Sequence, residues 1–203
     1  MFIYKSPVLA MKKGLIQKPT FRVENMVASA ALDMDLDLYA IAYKVYDVEY
    51  EPEQFPGAIF KLKEPKSSLL LFKNGKIICT GCKNEKEVQL AIEKTQKMML
   101  PYAKPTKKLS KPTFKIENIV ASANFAVELD LYGIAAKNRD VEYEPEQFPG
   151  AIFKIKDPKS SLLLFKNGKI ICTGCKSEKE VQAALDKTAH LMQPFASPLP
   201  KKD

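Results

Sequence analysis

The chain of 203 residues contains almost no histidine and none of the common sequence motifs of enzyme active sites. Histidine occurs only once, at His190, near the end of a predicted helix, and we interpret it as a surface residue. The sequence has no HExxH metal motif, no P-loop, no Rossmann glycine pattern and no nucleophile beside a base. We therefore expect neither an enzyme nor a catalytic residue, and no cofactor.

Long apolar segments are also missing. No run approaches the roughly 20 residues that a helix needs to cross a bilayer. The first residues form no continuous apolar stretch of signal-peptide length. These absences predict an intracellular protein without membrane contact.

What the sequence does contain is a repeat. Residues 18–103 return without a gap as residues 111–196, and 63 of the 86 aligned positions are identical. Glu49–Lys61 and Ser67–Lys83 return letter for letter as Glu142–Lys154 and Ser160–Lys176. Any functional surface on one half must therefore exist twice, related by a pseudo-twofold axis. The natural ligand of such a protein is itself nearly two-fold symmetric.

Basic residues are concentrated outside the two repeats. Of the net charge of +8, residues 1–18 and residues 104–111 each contribute four lysines without an acid. Together with the tail at 201–203, they leave residues 19–103 and 112–200 with a net charge of −1. These flanks look flexible and suggest a polyanionic partner, although lysine-rich arms are also common solubilising segments.

The sequence of each repeat predicts elements in the order β-α-β-β-β-β-α, if the short stretch before the loop counts as a strand. Apolar residues at helical spacing predict a first helix over Leu36–Val45, with Asp33 and Asp35 as candidate N-caps. Prolines and a glycine bracket a loop over Glu51–Gly57, and Asn74-Gly75 is a hairpin signal. The other elements predicted in the first repeat are the strands Phe21–Ala30, Ala58–Lys63, Ser67–Phe72 and Ile77–Thr80 and the amphipathic helix Glu85–Met99.

The predicted strands are apolar on both faces. In Ser67–Phe72, Leu69 and Leu71 point to one face, while Leu70 and Phe72 point to the other. Two helices per repeat are about enough to cover one face of the sheet. The second face is therefore either an exposed binding surface or is hidden in an oligomer.

Four cysteines form two CxxC pairs, Cys79 with Cys82 and Cys172 with Cys175. Two such pairs match the spacing of a zinc ribbon, provided that they converge in space. Their separation of 93 residues is that of the repeat, so duplication explains it without a metal. We interpret the cysteines as structural thiols and expect no metal site, with zinc binding and redox pairing as the alternatives.

Three motifs occur in the same order in both halves: VENMVAS (IENIVAS in the second half), EYEPEQFPG and LLLFKNGKIICTG. On these motifs the chain resembles the TATA-box-binding protein family, and archaeal members in particular, over residues 19–196. The resemblance implies an α+β fold, a pseudo-twofold saddle whose ten-stranded curved antiparallel sheet carries four helices on its convex face. The parts of the chain would be a basic extension (1–18), a first repeat (19–103), a basic linker (104–111), a second repeat (112–200) and a tail (201–203).

The resemblance also implies a general transcription initiation factor whose concave face binds the minor groove of TATA-box DNA. Bending by inserted apolar side chains is the known mode of this family. The wedge phenylalanines that would kink the DNA are Phe55 with Phe72 and Phe148 with Phe165. Residues implied to contact bases are Asn25, Asn118, Thr80, Thr173, Val27, Val120, Leu70, Leu163, Ile78 and Ile171. Those implied to contact phosphates are Lys61, Lys76, Lys83, Lys154, Lys169 and Lys176.

Further partners follow from the same resemblance. Transcription factor B would bind the acidic loop of the second repeat through Glu144, Glu146 and Gln147, and RNA polymerase would be recruited indirectly. Without DNA, we expect weak self-association through the concave face. The location would be cytoplasmic and nucleoid-associated in an archaeon, or nuclear in a eukaryote.

Two features differ from the family pattern. Glu24 and Glu117 stand where the family usually has glutamine beside the DNA-facing asparagine, and Lys73 and Lys166 replace small residues next to wedge phenylalanines. These differences keep two alternatives open: a paralogue with altered promoter preference, or a saddle-shaped scaffold whose concave face binds a protein partner. The intact asparagines and phenylalanines favour DNA binding.

Overall fold

Ten strands form one antiparallel sheet in the computed structural model, which describes residues 14–200. Residues 1–13 of the predicted basic extension and the predicted tail, 201–203, lie outside the described residues. Each repeat supplies five strands, and the two long strands β1 (Phe21–Ala31) and β8 (Phe114–Asn124) pair with each other at the centre. The sheet is therefore continuous from one repeat to the other.

The remaining strands of the sheet follow in matching order on the two sides of this centre. Beyond β1 lie β6 (Lys76–Cys82), β5 (Ser67–Leu71), β4 (Ala58–Leu62) and β3 (Val48–Glu49). Beyond β8 lie β13 (Lys169–Cys175), β12 (Lys159–Phe165), β11 (Gly150–Lys156) and β10 (Val141–Glu142). This order agrees with the prediction of a pseudo-twofold, ten-stranded antiparallel sheet.

Each repeat carries a short and a long helix. These are α1 (Leu38–Lys44) and α2 (Glu85–Met99), then α3 (Leu131–Lys137) and α4 (Glu178–Met192). The predicted bounds of α2 are confirmed. A reciprocal cap fixes its start: the N–H of Glu87 donates to Asn84 Oδ1 at 2.9 Å, and the N–H of Lys83 donates to Glu87 Oε2 at 2.8 Å. None of the helices within residues 14–200 is long and apolar enough to cross a membrane.

The predicted N-cap of α1 is wrong. Asp37 caps this helix, because its Oδ1 accepts a hydrogen bond from the N–H of Ala40 at 3.0 Å. Asp35 belongs instead to a short strand, β2 (Met34–Leu36), which pairs with β7 (Ala103–Pro105). The second repeat contains the same ribbon, formed by β9 (Val127–Leu129) and β14 (Ala196–Pro198). Strands of three residues carry too little alternation for the sequence to reveal them.

The helices cover one face of the sheet only. On that face Met26, Leu69 and Cys79 are at most 1% exposed. On the opposite face Leu70 and Ile78 are only partly buried, although both neighbours of each along the strand are buried. Within residues 14–200, no helix covers this second apolar face, in agreement with the prediction for the sheet.

The segment before each repeat packs against the long helix of the other repeat. Ile16 is buried, and the side-chain amide of Gln182 in α4 donates to the carbonyl oxygen of Pro19 at 3.1 Å. In the equivalent place, Gln89 of α2 donates to the carbonyl oxygen of Pro112 at 3.1 Å. The described part of these flanks, which the sequence suggested to be flexible, is therefore attached and ties the two repeats together.

Candidate nucleic-acid interface

The face without helices has an apolar floor that spans both repeats. Leu70 and Ile78 are direct partners between β5 and β6, and the equivalent pair joins β12 and β13. The central strands β1 and β8 add one valine each. The floor thus consists of Val27, Leu70, Ile78, Val120, Leu163 and Ile171, all of them partly exposed. These are the apolar residues that the sequence analysis assigned to base contact, and they lie on one surface.

A pair of phenylalanine rings accompanies this floor in each repeat. The ring centroids of Phe55 and Phe72 are 5.9 Å apart with an interplanar angle of 64°, and those of Phe148 and Phe165 have the same values. Phe55 and Phe148 are each 38% exposed. A Cβ atom at Gly57 would lie 2.7 Å from the ring of Phe55 and 3.2 Å from that of Phe72. The rings can therefore reach this edge-to-face arrangement because position 57 has no side chain.

Polar groups occupy the centre of the same face. The backbone N–H of Gly81 donates to Asn25 Oδ1 at 2.8 Å, and Asn25 Nδ2 donates to Thr80 Oγ1 at 3.2 Å. Asn118 makes the equivalent bonds in the second repeat, at 2.7 and 3.2 Å. Asn118 also lies opposite Val27 in the pairing of β8 with β1. Both amides are thus held in a fixed orientation next to the apolar floor.

Glu24 and Glu117, which differ from the family pattern, connect the two repeats. Ser122 Oγ donates to Glu24 Oε1 at 2.5 Å, and Ser29 Oγ donates to Glu117 Oε1 at 2.7 Å. Hydrogen bonds from Ser122 and Arg22 hold the pKa of Glu24 below its ordinary value. The bond from Ser29, with nearby lysines, lowers the pKa of Glu117 in the same way. The two carboxylates remain charged near neutral pH and bind across the junction of β1 and β8.

The lysines assigned to phosphate contact are all exposed, and three of them form salt bridges with carboxylates. Lys61 Nζ lies 2.6 Å from Glu49, and Lys154 Nζ lies 2.7 Å from Glu142. Lys176 is 3.7 Å from Glu117. Within residues 14–200, no salt bridge involves Lys76, Lys83 or Lys169.

The acidic loops carry a wedge phenylalanine and the residues assigned to transcription factor B on the same turn. The N–H groups of Gln147 and Phe148 both donate to the carbonyl oxygen of Glu144 at 3.0 Å, and the side-chain amide of Gln147 donates to the Glu144 carboxylate. Glu144, Glu146 and Gln147 are exposed. The loop Glu51–Gly57 has the same bonds in the first repeat, with Gln54 N–H to Glu51 oxygen at 2.9 Å.

Comparison with known proteins identifies the family. A family model described as transcription factor TFIID (or TATA-binding protein, TBP) matches residues 20–102 and, a second time, residues 113–195. The chain belongs to the TATA-binding protein family. Members of this family are DNA-binding transcription factors rather than enzymes, which confirms that part of the prediction.

Archaeal relatives support the same assignment. The TATA-box-binding protein of Pyrobaculum neutrophilum is 41% identical over 169 residues, covering 83% of this chain and 85% of the relative. That of Methanothermobacter thermautotrophicus is 43% identical over 167 residues, covering 82% and 91%. The solved structure of Methanococcus jannaschii TBP matches with a TM-score of 0.80 at 38% identity, covering 87% of this chain and 100% of that one. The predicted saddle fold of the TATA-binding protein family is thereby confirmed.

The cysteines of this TATA-binding protein family member do not form a four-thiol zinc site. Cys79 lies beside Cys82 and Cys172 beside Cys175, with Sγ–Sγ distances of 3.8 and 3.9 Å, and all four are buried. Within residues 14–200, no group of three or more histidine, cysteine or acidic side chains is arranged to hold a metal ion. The zinc alternative fails because each pair stays within its own repeat.

The sequence analysis missed two residues of this surface, Ser29 and Ser122. Both recur at the same position of the repeat, which is a signal that could have drawn attention to them. Their acceptors Glu117 and Glu24, however, belong to the other repeat, and only the register between β1 and β8 brings donor and acceptor together.

Proposed function

We propose that this protein is a general transcription initiation factor that binds TATA-like promoter DNA in the minor groove, kinks it, and recruits a transcription factor B. The observation that carries the proposal is the helix-free face, on which one continuous apolar floor joins two identical phenylalanine pairs and two identically oriented asparagines. A pseudo-symmetric surface of this kind suits a ligand that presents nearly the same edge in both directions. The minor groove of A·T-rich DNA has this property.

The phenylalanine pairs would supply the bend. Each pair presents two rings in edge-to-face contact, with one ring on an exposed loop turn. Inserted between base pairs, such rings partly unstack one step and open the groove toward the protein. Pyrimidine–purine steps such as TA deform most easily, so insertion favours TATA-like sequence without many hydrogen bonds.

The centre of the face would read the groove. Asn25, Asn118, Thr80 and Thr173 carry donors for adenine N3 and thymine O2, which are the acceptors that an A·T pair shows in the minor groove. The apolar floor suits an edge that lacks the guanine amino group. A G·C pair would leave that amino group buried against valine, leucine and isoleucine without an acceptor.

Lysines around the face would bind phosphates. Lys76, Lys83 and Lys169 are exposed, and with Lys61, Lys154 and Lys176 they form one basic set per repeat. Lys61 and Lys154 would exchange or share their carboxylate partners Glu49 and Glu142 when DNA is bound. Release of counterions from these contacts makes the affinity fall as salt rises.

Transcription factor B would bind the acidic loop of the second repeat, and RNA polymerase would be recruited through it. Glu144 and Glu146 are exposed and lie next to a wedge phenylalanine, so a partner on this loop would reach DNA beside the kink. Because Glu51 and Glu53 are the same residues in the first repeat, Glu51→Lys/Glu53→Lys is a matched control for Glu144→Lys/Glu146→Lys. In a gel shift with TATA duplex, only the second-repeat variant should lose the ternary complex with factor B. Equal loss in both variants would contradict the choice of repeat.

Duplex binding tests the proposal as a whole. The full chain is titrated into a TATA duplex with a donor and an acceptor dye at its ends, and into a duplex of scrambled, G·C-rich sequence. We expect tight binding with a shortened dye distance on the TATA duplex only. Equal affinity for both duplexes at moderate salt, or binding without a change of dye distance, would overturn it.

A further inference from the structure

The two thiols of each repeat play no part in the proposed function, yet they lie in contact. Cys79 Sγ and Cys82 Sγ are 3.8 Å apart, and Cys172 Sγ and Cys175 Sγ are 3.9 Å apart. All four residues are buried on the helix side of the sheet. Each pair lies near the end of a strand whose other face belongs to the candidate interface.

A bulge brings these thiols together. In a regular strand, residues three apart point to opposite faces. Gly81 interrupts the alternation with a φ of +97°, and the register of β1 with β6 shifts between Met26 and Ala28 opposite to it. A Cβ atom at Gly81 would lie 3.2 Å from the Cα of Ser67. Glycine is needed here both for the left-handed backbone and for space, and Cys82 consequently shares the face of Cys79.

The same bulge orients the asparagine of the candidate interface. The N–H of Gly81 donates to Asn25 Oδ1 at 2.8 Å, and Thr80 Oγ1 is within hydrogen-bond distance of the same amide. Gly174 and Asn118 repeat this contact at 2.7 Å. Thr80 and Gly81 are the two residues between the thiols. One short segment thus connects the cysteine pair on one face of the sheet to the amide on the other.

We propose that each cysteine pair is a redox modification site, at which a small-molecule disulfide oxidises the two thiols to an intramolecular disulfide, and that this weakens DNA binding by the repeat concerned. The second half of the proposal rests on the proposed function.

The oxidation proceeds as an ordinary thiol–disulfide exchange in two steps. The Cys82 thiolate attacks one sulfur of the small disulfide, forms a mixed disulfide and releases one small thiol. Cys79 then loses its proton and attacks Cys82 Sγ, which releases the second small thiol. The two protein thiols are oxidised, and one small disulfide is reduced to two small thiols.

Several features make Cys82 the attacking thiol. The hydrogen bond with Cys79 lowers the pKa of Cys82, whereas the same bond and burial raise the pKa of Cys79. Cys82 also lies two residues before Asn84, the N-cap of α2, where the helix dipole favours a thiolate. Cys82 is itself buried, whereas Gly81 and Lys83 on either side of it are exposed, so the oxidant would reach its sulfur when the bulge opens.

We expect disulfide formation to displace the segment that holds the asparagine. A disulfide bond is about 2.05 Å long, so sulfur atoms now 3.8 Å apart have to approach by roughly 1.7 Å. The residues between them carry the N–H and the hydroxyl that bind Asn25. Oxidation therefore disturbs the amide that faces the groove, and it does so separately in each repeat.

The first experiment measures the modification without DNA. The folded chain is equilibrated in glutathione buffers of increasing oxidised fraction, free thiols are alkylated, and disulfides are counted by mass and located by peptide mapping. We expect two internal disulfides, within residues 79–82 and 172–175. Cys82→Ala and Cys175→Ala should each retain one of them, in the opposite repeat. If the folded chain forms no internal disulfide in buffers that oxidise the unfolded chain, the proposal is wrong.

The second experiment measures the consequence. The affinity of reduced and oxidised protein for a TATA duplex is compared at one salt concentration. We expect about threefold to tenfold weaker binding per disulfide, the size of one lost hydrogen-bond contact, with recovery after reduction. In the Cys82→Ala/Cys175→Ala variant, the oxidant should leave the affinity unchanged. Equal affinity of reduced and fully oxidised protein would overturn the coupling. Failure of the reduced protein to prefer the TATA duplex would instead reject the proposed function, while the disulfide count would stand independently.

Discussion

The two repeats are identical at every position proposed to touch DNA, and they differ most visibly on the side that carries the short helices. Asn25, Thr80 and the wedge phenylalanines all recur unchanged in the second repeat. By contrast Tyr43 and Tyr46, which are 83% and 97% exposed, become Ala136 and Arg139. The candidate DNA surface therefore contains almost no information about direction. The most exposed of these differences between the two ends of the saddle lie around α1 and α3.

A second contrast lies in the clefts beside the two short helices. Beside α3, Glu128 reaches Lys166 with a salt bridge of 3.1 Å, and the cleft there measures about 310 Å³. Beside α1 the equivalent pair is Asp35 and Lys73, no salt bridge joins them within residues 14–200, and the cleft measures about 740 Å³. The lining differs as well, with Lys104 beside α1 and Ser197 beside α3, and the two ends therefore have different shapes.

The largest effect is expected from variants that break the symmetry of the candidate DNA surface. Phe148→Ala/Phe165→Ala and Phe55→Ala/Phe72→Ala each remove one wedge. Each ring that inserts into DNA contributes about 1.5–3 kcal/mol of apolar burial, so either variant should lose on the order of 100-fold or more in affinity for a TATA duplex. Because the two pairs have the same geometry, the two variants should behave alike.

The measurement is a titration of the doubly labelled TATA duplex, with circular dichroism as the control for the fold. Each variant should retain about half of the bend, since one kink remains. A bend of full size in either variant would contradict the wedge assignment. A large difference between the two variants would show that the repeats are not equivalent on DNA.

A smaller effect is expected at the polar centre. Asn25→Ala and Asn118→Ala each remove one amide held by a bulge N–H at 2.8 or 2.7 Å. We expect about threefold to tenfold weaker binding of TATA duplex in each variant, with less discrimination against a G·C pair at the centre of the site. Competition between TATA duplex and single-substitution duplexes measures both quantities. Unchanged discrimination in both variants would show that the floor, and not the amides, selects the base pairs.

Much of this architecture could be predicted because local sequence patterns determine it. The bounds of α2 followed from its amphipathic spacing, and the duplication gave the symmetry. The β2–β7 ribbon could not be predicted, since three residues carry no periodicity. Nor could the shared face of Cys79 and Cys82, because the bulge at Gly81 reverses the alternation on which a strand prediction depends. Contacts between repeats, such as Ser29 with Glu117, depend on a register that the sequence does not specify.

The hydrogen bonds of Glu24 and Glu117, which connect the two repeats, lead to a prediction about how stability depends on pH. The pKa of Glu24 is lowered in the folded protein, so its contribution is fully present above the ordinary value of 4.5 and is lost as the pH falls through the lowered pKa. Glu24→Gln should therefore lower the Tm near pH 7 and have little effect in more acid solution. Exposed pairs contribute little, so we expect a change of only about 1–3 °C.

Thermal melts of Glu24→Gln and Glu117→Gln at several pH values sharpen the comparison of the repeats. Glu24 is bound by Arg22 at 2.6 Å, whereas the lysines near Glu117 are 3.6 and 3.7 Å away. The pH-dependent part of the decrease in Tm should therefore be larger for Glu24→Gln than for Glu117→Gln. A decrease in Tm that is the same at every pH would mean that the charge of the carboxylate does not contribute to the contact between the repeats.

The smallest expected effect concerns orientation on DNA. Since the residues proposed to contact DNA are the same in both repeats, the protein alone should bind a TATA duplex in both directions with populations that differ by less than about threefold. A cleavage reagent attached through an engineered cysteine at position 43, where the native Tyr43 is 83% exposed, would report the direction, in a variant whose four native cysteines are alanine. Exchanging Val45-Tyr46 with Asn138-Arg139, with the reagent kept at position 43, should leave this ratio unchanged. The exchange should alter the ratio only when a partner that binds one acidic loop is added. A strong preference without a partner would mean that residues beside the candidate DNA surface, such as Arg22 against Lys115, already distinguish the two ends of the DNA.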